Sequence, residues 1–523
     1  MRSNLIFSRG TLRGGAAILS AGLVGAFAAS VDAGPHPRVI FSNIATSPTS
    51  LIPDGEGLRF NPGTATQFDR PFVSPDGSQW IFAAIADALP ADLDIIVVGG
   101  GTTSAGAQTV LREADATFFD GAIVYSSFGT SLGINNNGHY VFTADTSAAT
   151  TVDAIAAKWD GTMFELMARE GTQAPGQGAG VGYGSTIDSV HILNNGMVYL
   201  RTAALTGATT QQVIYELTDI ATGAVLAQTD VTVPTGQLVA PDQSIDVLNT
   251  NRFRIDPQGN TIYVCDLNGP TTSDLVAVVN NAVIAQEGQV LPGGLLAPAT
   301  VTLFTGDAGA QQVGHNGDYL IRGSVSDTRD YVLGNNGLAA VTDDPIYPGA
   351  SLLYDDTAFA NTYFINTLNA YNEPVIGGLT NSGDVNSDAL LVYNNESVLV
   401  REHDPIDLDG DGVAADNARV SVFNNDDSFM TRSHYYFFAD LRDDALVSIG
   451  QAFLVIPLPR KGDMNCDGVV NNFDIDPFVQ ALTDPAGYEA ANPDCRIDNA
   501  DVDGDGMVNN FDIDPFVALL TGP

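Results

Sequence analysis

Basic residues are scarce in this sequence. Only 21 Lys and Arg stand against 62 Asp and Glu in 523 residues, for a formal net charge of −41. A field of this sign repels polyanions, so we expect neither nucleic acid nor anionic lipid as a partner. It attracts cations, above all calcium, which prefers oxygen ligands. For most of the acidic residues the alternative is simpler, since a negative surface keeps a protein soluble.

Long hydrophobic runs are missing after residue 33. Before it, three arginines precede an apolar stretch at 14–29, and small residues occupy the −3 and −1 positions of a cleavage site after Ala33. We interpret residues 1–33 as a signal peptide. The alternative is a membrane anchor, but the run is short and Gly-rich for a span of about 20 residues. The sequence predicts export, to the extracellular space or the cell envelope, with no transmembrane segment after signal removal.

Known catalytic signatures are missing as well. The sequence has no HExxH, GxSxG, phosphate-binding loop or CxxC motif. We therefore assign no catalytic residue and expect a protein without enzymatic activity. The alternative is a glycoside-cleaving enzyme, because two carboxylates distant in sequence can be brought together by a fold.

A turn followed by a β-rich run recurs along residues 38–456. The seven copies of the turn lie at 74–77, 135–138, 194–196, 256–259, 315–317, 370–372 and 424–427. A second marker keeps the same phase, a hairpin with Asp-Gly or Asn-Asn at its tip. Its clearest copies lie at 160–161, 280–281 and 394–395. These dipeptides suit tight hairpin turns that need positive φ.

A fixed period with several strands per unit is typical of a propeller or a solenoid. Radial packing of such sheets covers their faces and leaves only short edges. We predict a mainly β fold, with a β-propeller of about seven blades over residues 38–456. Segment 38–44 would close the ring against the last blade. The alternative, a row of β-sandwiches, needs about 100 residues per domain.

Two near-identical acidic loops, 463–474 and 501–512, lie near the C-terminus. Calcium takes six to eight oxygen ligands, which a 12-residue loop offers from positions 1, 3, 5, 7, 9 and 12. Those positions hold Asp463, Asn465, Asp467, Val469, Asn471 and Asp474 in the first loop, and Asp501, Asp503, Asp505, Met507, Asn509 and Asp512 in the second. Position 7 would offer its backbone carbonyl. We predict two bound Ca²⁺ ions.

The same apolar run, Phe-Asp-Ile-Asp-Pro-Phe-Val, begins in each loop and continues at helical spacing. The order loop, helix, loop, helix, with Asp at position 12, resembles the dockerin family over residues 462–521, with 457–461 as a linker. The repeat before it resembles secreted bacterial repeat domains that precede such tails. The resemblance implies a small helical domain, ordered by two calcium ions, that docks onto a cohesin-like or cell-surface protein. Dockerins read their partner just after the ninth loop position, where this chain has Asn-Phe at 472–473 and 510–511.

A third acidic loop carries the first half of the same pattern, with Asp407, Asp409 and Asp411 at alternating positions. Ala415 and Ala418 fill its ninth and twelfth positions, so the coordination shell is incomplete. The loop is either a weak calcium site or a plain turn.

Only three cysteines are present. Cys466 and Cys495 flank the region between the two calcium loops, and we predict a disulfide between them, with two free thiols as the alternative. Cys265 is left as a buried apolar thiol in a strand.

These features together predict an exported, calcium-binding, non-catalytic protein. Its propeller would bind or display, with carbohydrate as a candidate ligand, and its dockerin-like tail would dock it to a surface or an extracellular assembly. The alternative is a carbohydrate-active hydrolase or lyase whose catalytic propeller is tethered by the same tail.

Overall fold

The computed structural model describes residues 36–521, apart from 54–55, 64–67, 89–90, 208–210, 240, 306–310, 356–361, 370, 411–412 and 493–494. The predicted signal peptide, residues 1–33, lies outside the described residues. None of the helices formed by the described residues is long and apolar enough to cross a membrane.

The described residues form thirty strands, grouped into seven sheets that we call blades 1 to 7. The first strand, β1 (Arg38–Ser42), belongs to blade 7. Blade 1 has β2 (Arg59–Phe60), β3 (Phe68–Val73), β4 (Trp80–Asp87), β5 (Leu93–Gly99) and β6 (Gln108–Arg112); blade 2 has β7 (Tyr125–Ile134), β8 (Tyr140–Thr146), β9 (Ile155–Trp159) and β10 (Phe164–Arg169). Blade 3 has β11 (Ile187–Ile192), β12 (Val198–Thr202), β13 (Val213–Asp219) and β14 (Thr222–Gln228); blade 4 has β15 (Ile245–Ile255), β16 (Thr261–Leu267), β17 (Leu275–Val279) and β18 (Ala282–Gln286). Blade 5 has β19 (Val301–Phe304), β20 (Gln311–Val313), β21 (Tyr319–Val325), β22 (Asp330–Gly334) and β23 (Gly337–Val341); blade 6 has β24 (Tyr363–Leu368), β25 (Pro374–Leu379), β26 (Ala389–Tyr393) and β27 (Ser397–Arg401). Blade 7 adds β28 (Arg419–Met430), β29 (His434–Arg442) and β30 (Ser448–Pro457).

The blades pack around a common axis. Each is an antiparallel sheet, and in blades 1 and 5 two short strands share the innermost position. The innermost strand of each blade contacts that of the next, and β28 of blade 7 contacts β3 of blade 1. This closed ring confirms the seven-bladed propeller, and the alternative of successive β-sandwiches is wrong.

The ring is closed by the N-terminal strand. β1 pairs with β30, so that Arg38 lies opposite Val455 and Ser42 opposite Ala452. The prediction that segment 38–44 completes the last blade is therefore confirmed. Aromatic rings fill the seam between blades 7 and 1, and they belong to Phe41, Phe60, Phe68, Trp80, Phe82, Phe438 and Phe453.

The first six predicted turns join the innermost strand of a blade to its second strand, and polar side chains of several of them link neighbouring blades. The backbone N–H of Asp76 donates to Asn136 Oδ1 at 3.0 Å, and that of Asn136 donates to Asn194 Oδ1 at 2.9 Å. Gly317 N–H donates to Asp256 Oδ2 at 2.8 Å. The repeated Asn and Asp therefore stabilise the ring as well as their own turns.

The predicted position of the seventh turn, 424–427, is wrong. These residues lie inside β28, where the register against β29 shifts between Phe423 and Ser428. The turn itself lies at 431–433, where Thr431 Oγ1 accepts from the N–H groups of Ser433 and His434 at 3.3 and 3.0 Å. A threonine hydroxyl thus replaces the Asn or Asp of the other copies, while the Asn-rich segment is a bulge.

The tail contains three α-helices: α1 (Ile475–Thr483), α2 (Pro485–Ala491) and α3 (Ile513–Thr521). Short 3₁₀ turns lie at Asn472–Asp474, Ile497–Ala500 and Asn510–Asp512 in the tail, and at Pro48–Ser50, Pro292–Gly294 and His315–Gly317 in the propeller. The sequence pattern predicted α1 and α3 but not α2, which follows the N-cap Asp484 with proline at its first position. Phe478 of α1 and Phe516 of α3 stack with ring centroids 4.0 Å apart.

The predicted disulfide between Cys466 and Cys495 is confirmed, with Cα atoms 5.5 Å apart, and Cys265 is free and buried in β16. The bridge ties the first loop to the segment that follows α2.

Removing this bridge is expected to destabilise the tail and to leave the propeller unchanged. For the double variant C466S/C495S we expect the tail to lose about 2–4 kcal/mol, because its unfolded chain regains the entropy of an open loop. Hydrogen exchange of α1 and α3 measures the loss. Reducing agent on the unaltered protein is the matched control and should give the same change. Three free thiols in the unfolded, unreduced protein would contradict the bridge.

Candidate metal centres and the central cavity

The two acidic loops of the tail fold alike around their first residue. In the first loop Asp463 Oδ2 accepts from Gly468 N–H at 2.9 Å, and in the second Asp501 Oδ2 accepts from Gly506 N–H at 3.1 Å. Both glycines have positive φ, +83° and +85°, as the sharp turn at position 6 requires. The side chains at positions 3 and 5 each accept a backbone N–H two residues on; they are Asn465, Asp467, Asp503 and Asp505.

The aspartates at position 12 join the beginning of each loop to its end. Asp474 Oδ1 accepts from Met464 N–H at 2.7 Å and its Oδ2 accepts from Asn471 N–H at 2.8 Å. Asp512 accepts from the N–H groups of Asp503 and Asn509, at 3.1 and 2.8 Å, as Asp474 does from those of Asn465 and Asn471. Both aspartates are fully buried. This backbone role was not foreseen from the sequence, where position 12 was assigned only a ligand.

The asparagines at position 9 begin the helical segments. Asn471 Oδ1 accepts from Phe473 N–H and Asn509 Oδ1 from Phe511 N–H, both at 2.8 Å, and the aspartate three residues on completes a capping box. The carbonyls at position 7 turn toward the same asparagines and accept from their side-chain amides at 3.2 and 3.1 Å. Positions 7, 9 and 12 are thus brought together in both loops, as the calcium prediction requires.

Asp463 carries the clearest electrostatic signal of the tail. Its side chain is 1% exposed, and among the described residues its Oδ1 atom finds no hydrogen-bond partner. Burial, followed by the charges of Asp474 and Asp467, raises the pKa of Asp463 to about 6. A buried carboxylate oxygen without a partner is costly, and a cation is one way to compensate it. The donor set, carboxylate and amide oxygens with a backbone carbonyl, fits calcium.

Two further groups of carboxylates have oxygens within 4.8 Å of one another. One consists of Asp501, Asp503 and Asp512 of the second loop, which agrees with their predicted positions. The other consists of Asp407, Asp409 and Asp416. Asp411, assigned to that third loop from the spacing, lies outside the described residues. Asp416 was missed because it stands at the tenth position from Asp407, where a 12-residue loop has no ligand.

The propeller encloses a central cavity of 360 Å³, lined by the innermost strand of every blade. Ser189, Thr367 and Ser428 line it from blades 3, 6 and 7, and within the described residues their buried hydroxyls have no hydrogen-bond partner. Phe72 and Phe429 add aromatic surface. The cavity therefore offers unused hydrogen-bonding groups beside apolar rings, a common composition of ligand pockets.

The charged groups of the cavity are largely engaged with the protein. Both carboxylate oxygens of Asp256 accept hydrogen bonds, from Gln258, Asn260 and Gly317, at 2.6–2.9 Å. His191 Nε2 lies 3.3 Å from the Phe253 carbonyl, and burial lowers the pKa of this histidine to about 3, so it is neutral at physiological pH. Asp69 is the other carboxylate among the described lining residues, and it too has an interaction partner.

The tail also presents matched apolar side chains to solvent. Phe473 is 76% exposed and Phe511 70%, and each stands next to a helix that exposes apolar residues at matching positions. The matching residues are Ile475 with Val479 and Ile513 with Val517. Such side chains seldom stay exposed in matched groups unless something packs on them.

Comparison with known proteins gives no family. No protein-family model and no curated protein matches the chain. Among 86 matching chains of solved structures, a polysaccharide lyase, Uly1, shares 10% identity, with a TM-score of 0.37 over 82% of this chain and 98% of that one. A hypothetical protein from Leishmania major shares 12% identity, with a TM-score of 0.21 over 61% and 94% of the two chains. At these scores the likeness establishes neither a family nor an activity.

Proposed function

We propose that this is an exported, calcium-binding protein without catalytic activity, whose propeller binds a ligand and whose dockerin-like tail docks it to a surface or an extracellular assembly. The observation that carries the proposal is the buried Oδ1 of Asp463, which has no hydrogen-bond partner in the part of the chain that the structure describes. It lies in a loop with candidate calcium donors at six positions. The second loop repeats the same backbone contacts. Two Ca²⁺ ions would be held by residues 463–474 and 501–512. Asp407, Asp409 and Asp411 remain a proposed weaker site.

Docking is supported by the two exposed phenylalanines of the tail and the apolar side chains beside them. Phe473 and Phe511 occupy the positions at which dockerins read their partner, and their rings are largely exposed. Burying two such rings in a partner contributes several kcal/mol, enough to act as the centre of an interface. The partner would be a cohesin-like or cell-surface protein that offers an apolar groove.

A binding role for the propeller is supported by the central cavity. Its hydroxyls and aromatic rings suit a neutral, hydroxyl-rich molecule such as a carbohydrate. Hydrolysis by two carboxylates needs a pair of carboxylates that both face the ligand. Asp256, one of the two carboxylates among the described lining residues, uses both of its oxygens as hydrogen-bond acceptors within the protein. We therefore favour binding over the tethered carbohydrate-active enzyme.

Capture from the native secretome tests the docking function. We expect the immobilised protein, from residue 34 onward, to retain a partner in calcium and to release it in chelator. The variant F473A/F511A should lose the partner, because both anchoring rings are removed. The matched control is F118A, which removes another exposed ring, in the propeller, and should capture normally. Equal capture by the double variant and the control would contradict docking through this face.

A further inference from the structure

The first calcium loop contacts the propeller at its sixth position, whereas the second loop has no described neighbour at that position. At position 6 of the first loop, the Gly468 carbonyl accepts from the Tyr371 hydroxyl of blade 6 at 2.7 Å. A Cβ atom added to Gly468 would lie 2.4 Å from Cβ of Arg432 in blade 7. At the same position of the second loop, a Cβ added to Gly506 would meet no described atom within 4 Å. Two loops of nearly the same sequence thus have different surroundings.

The linker, residues 457–461, strengthens the contact between the first loop and blade 6. The Arg460 guanidinium lies 4.5 Å from the centre of the Tyr371 ring and forms an ion pair with Glu373. Glu373 also accepts from the Tyr393 hydroxyl at 2.7 Å. The side chains of the linker and of blade 6 therefore hold one another, and the Arg460 charge that would repel a nearby cation is balanced by Glu373.

The same linker reaches the first metal ligand. Arg460 N–H donates to Asn499 Oδ1 at 2.9 Å, and the Asn499 amide donates to the backbone carbonyl of Asp463 at 2.8 Å. Asp463 is 1% exposed, whereas Asp501, its counterpart in the second loop, is half-buried. The backbone of the first loop is therefore held at both its first and its sixth positions by contacts that continue into the propeller.

We infer that the propeller holds the first loop in its calcium-binding conformation, so that the two loops are unequal calcium sites. The inference rests on the proposed calcium function of the tail. A loop held in place loses less conformational freedom when it binds an ion, and so binds it more tightly. By linkage, calcium in the first loop stabilises the contact of the tail with blades 6 and 7.

The first loop also lies close to the central cavity. Arg432 lies over the Tyr371 ring at 5.2 Å and lines that cavity, so the loop lies beside the cavity mouth.

Calcium titration of the whole chain from residue 34 onward tests the inference. We expect two phases by calorimetry, and Y371F should weaken the tighter phase about three- to tenfold, the effect of one lost hydrogen bond, while the weaker phase stays unchanged. The matched control is Y199F, which removes a tyrosine hydrogen bond to Glu216 in blade 3 and should alter neither phase. D501N/D503N assigns the phases, since it should remove the weaker one.

Hydrogen exchange at residues 371–373 gives a second readout that needs no altered metal loop. Calcium should slow exchange there in the unaltered protein and have little effect in Y371F. Equal affinities in both loops, with no effect of Y371F, would overturn the inference and leave the calcium function intact. Absence of calcium binding by either loop would overturn the proposed function itself, and the inference with it.

Discussion

Replacement of Phe41 by alanine is expected to lower the free energy of unfolding of the propeller by about 3–5 kcal/mol, the usual cost of emptying a buried phenylalanine site. Phe41 is 2% exposed in β1, and its ring lies 5.4 Å from that of Phe60 and 5.8 Å from that of Phe82. It thus joins the strand that closes blade 7 to the core of blade 1. The surrounding strands are held by their own pairing, so we do not expect them to move in and fill the space that the missing ring leaves.

Denaturant unfolding followed by tryptophan fluorescence measures this effect, because Trp80 lies 6.1 Å from the Phe41 ring. The matched control is Phe473→Ala, which removes a ring that is 76% exposed, and we expect it to change stability by less than about 0.5 kcal/mol. A loss below about 1 kcal/mol for F41A would contradict the role of β1 in closing the ring.

Removal of calcium is expected to loosen the tail while the propeller stays folded. Residues 461–523 carry thirteen acidic side chains against two basic ones, so the carboxylates of the proposed calcium loops repel one another when no cation is bound. Calcium at 100 times its dissociation constant would stabilise the folded loop by about 2.7 kcal/mol per site. Because ligands are assembled only on folding, binding and folding are coupled.

Hydrogen exchange of α1 and α3 in calcium and in chelator measures this coupling, and native mass spectrometry counts the ions. We expect two calcium ions, and one fewer in each of D463N and D501N, since each removes the negative charge of the first ligand of one loop. Magnesium at the same concentration is the control, because it prefers a rigid octahedral site and keeps its water. Equal protection of both helices in calcium and in chelator would contradict a calcium-ordered tail.

Local chemistry explains which parts of the fold could be predicted from the sequence. Asn280 and Asn281 have φ of 49° and 63°, as a tight hairpin turn needs, and the dipeptide itself carries that preference. The turn at 431–433 was not predicted, because a threonine hydroxyl accepts the backbone hydrogen bonds there in place of an Asn side chain. The Asn-rich segment at 424–427, which the prediction chose instead, lies in a bulge. Turn residues predict a turn, but the register of a long strand is decided by its neighbours.

The candidate metal sites could be proposed from the sequence for a related reason. Its proposed ligands lie within twelve consecutive residues, so their spacing alone places them around one point. The hydrogen bonds of Asp474 to the loop backbone and the place of Asp416 in the third acidic loop could not be predicted from the sequence. Both depend on how the loop folds back on itself. The central cavity was beyond any local pattern, since seven strands distant in sequence each contribute a few of its residues.

The sequence by itself determined the repeat and most of its turns, and it predicted two calcium loops that carry the same residue at positions 1, 5, 9 and 12. Only the tertiary structure decided that β1 closes the ring and which side chains meet at the axis. It also decided that Gly468 contacts the propeller, while a Cβ at Gly506 would meet none of the described atoms. The physical reason is the range of the interactions. Turn geometry and loop coordination are set by residues a few positions apart, whereas closure, cavity and seating depend on contacts between segments that meet only when the chain has folded.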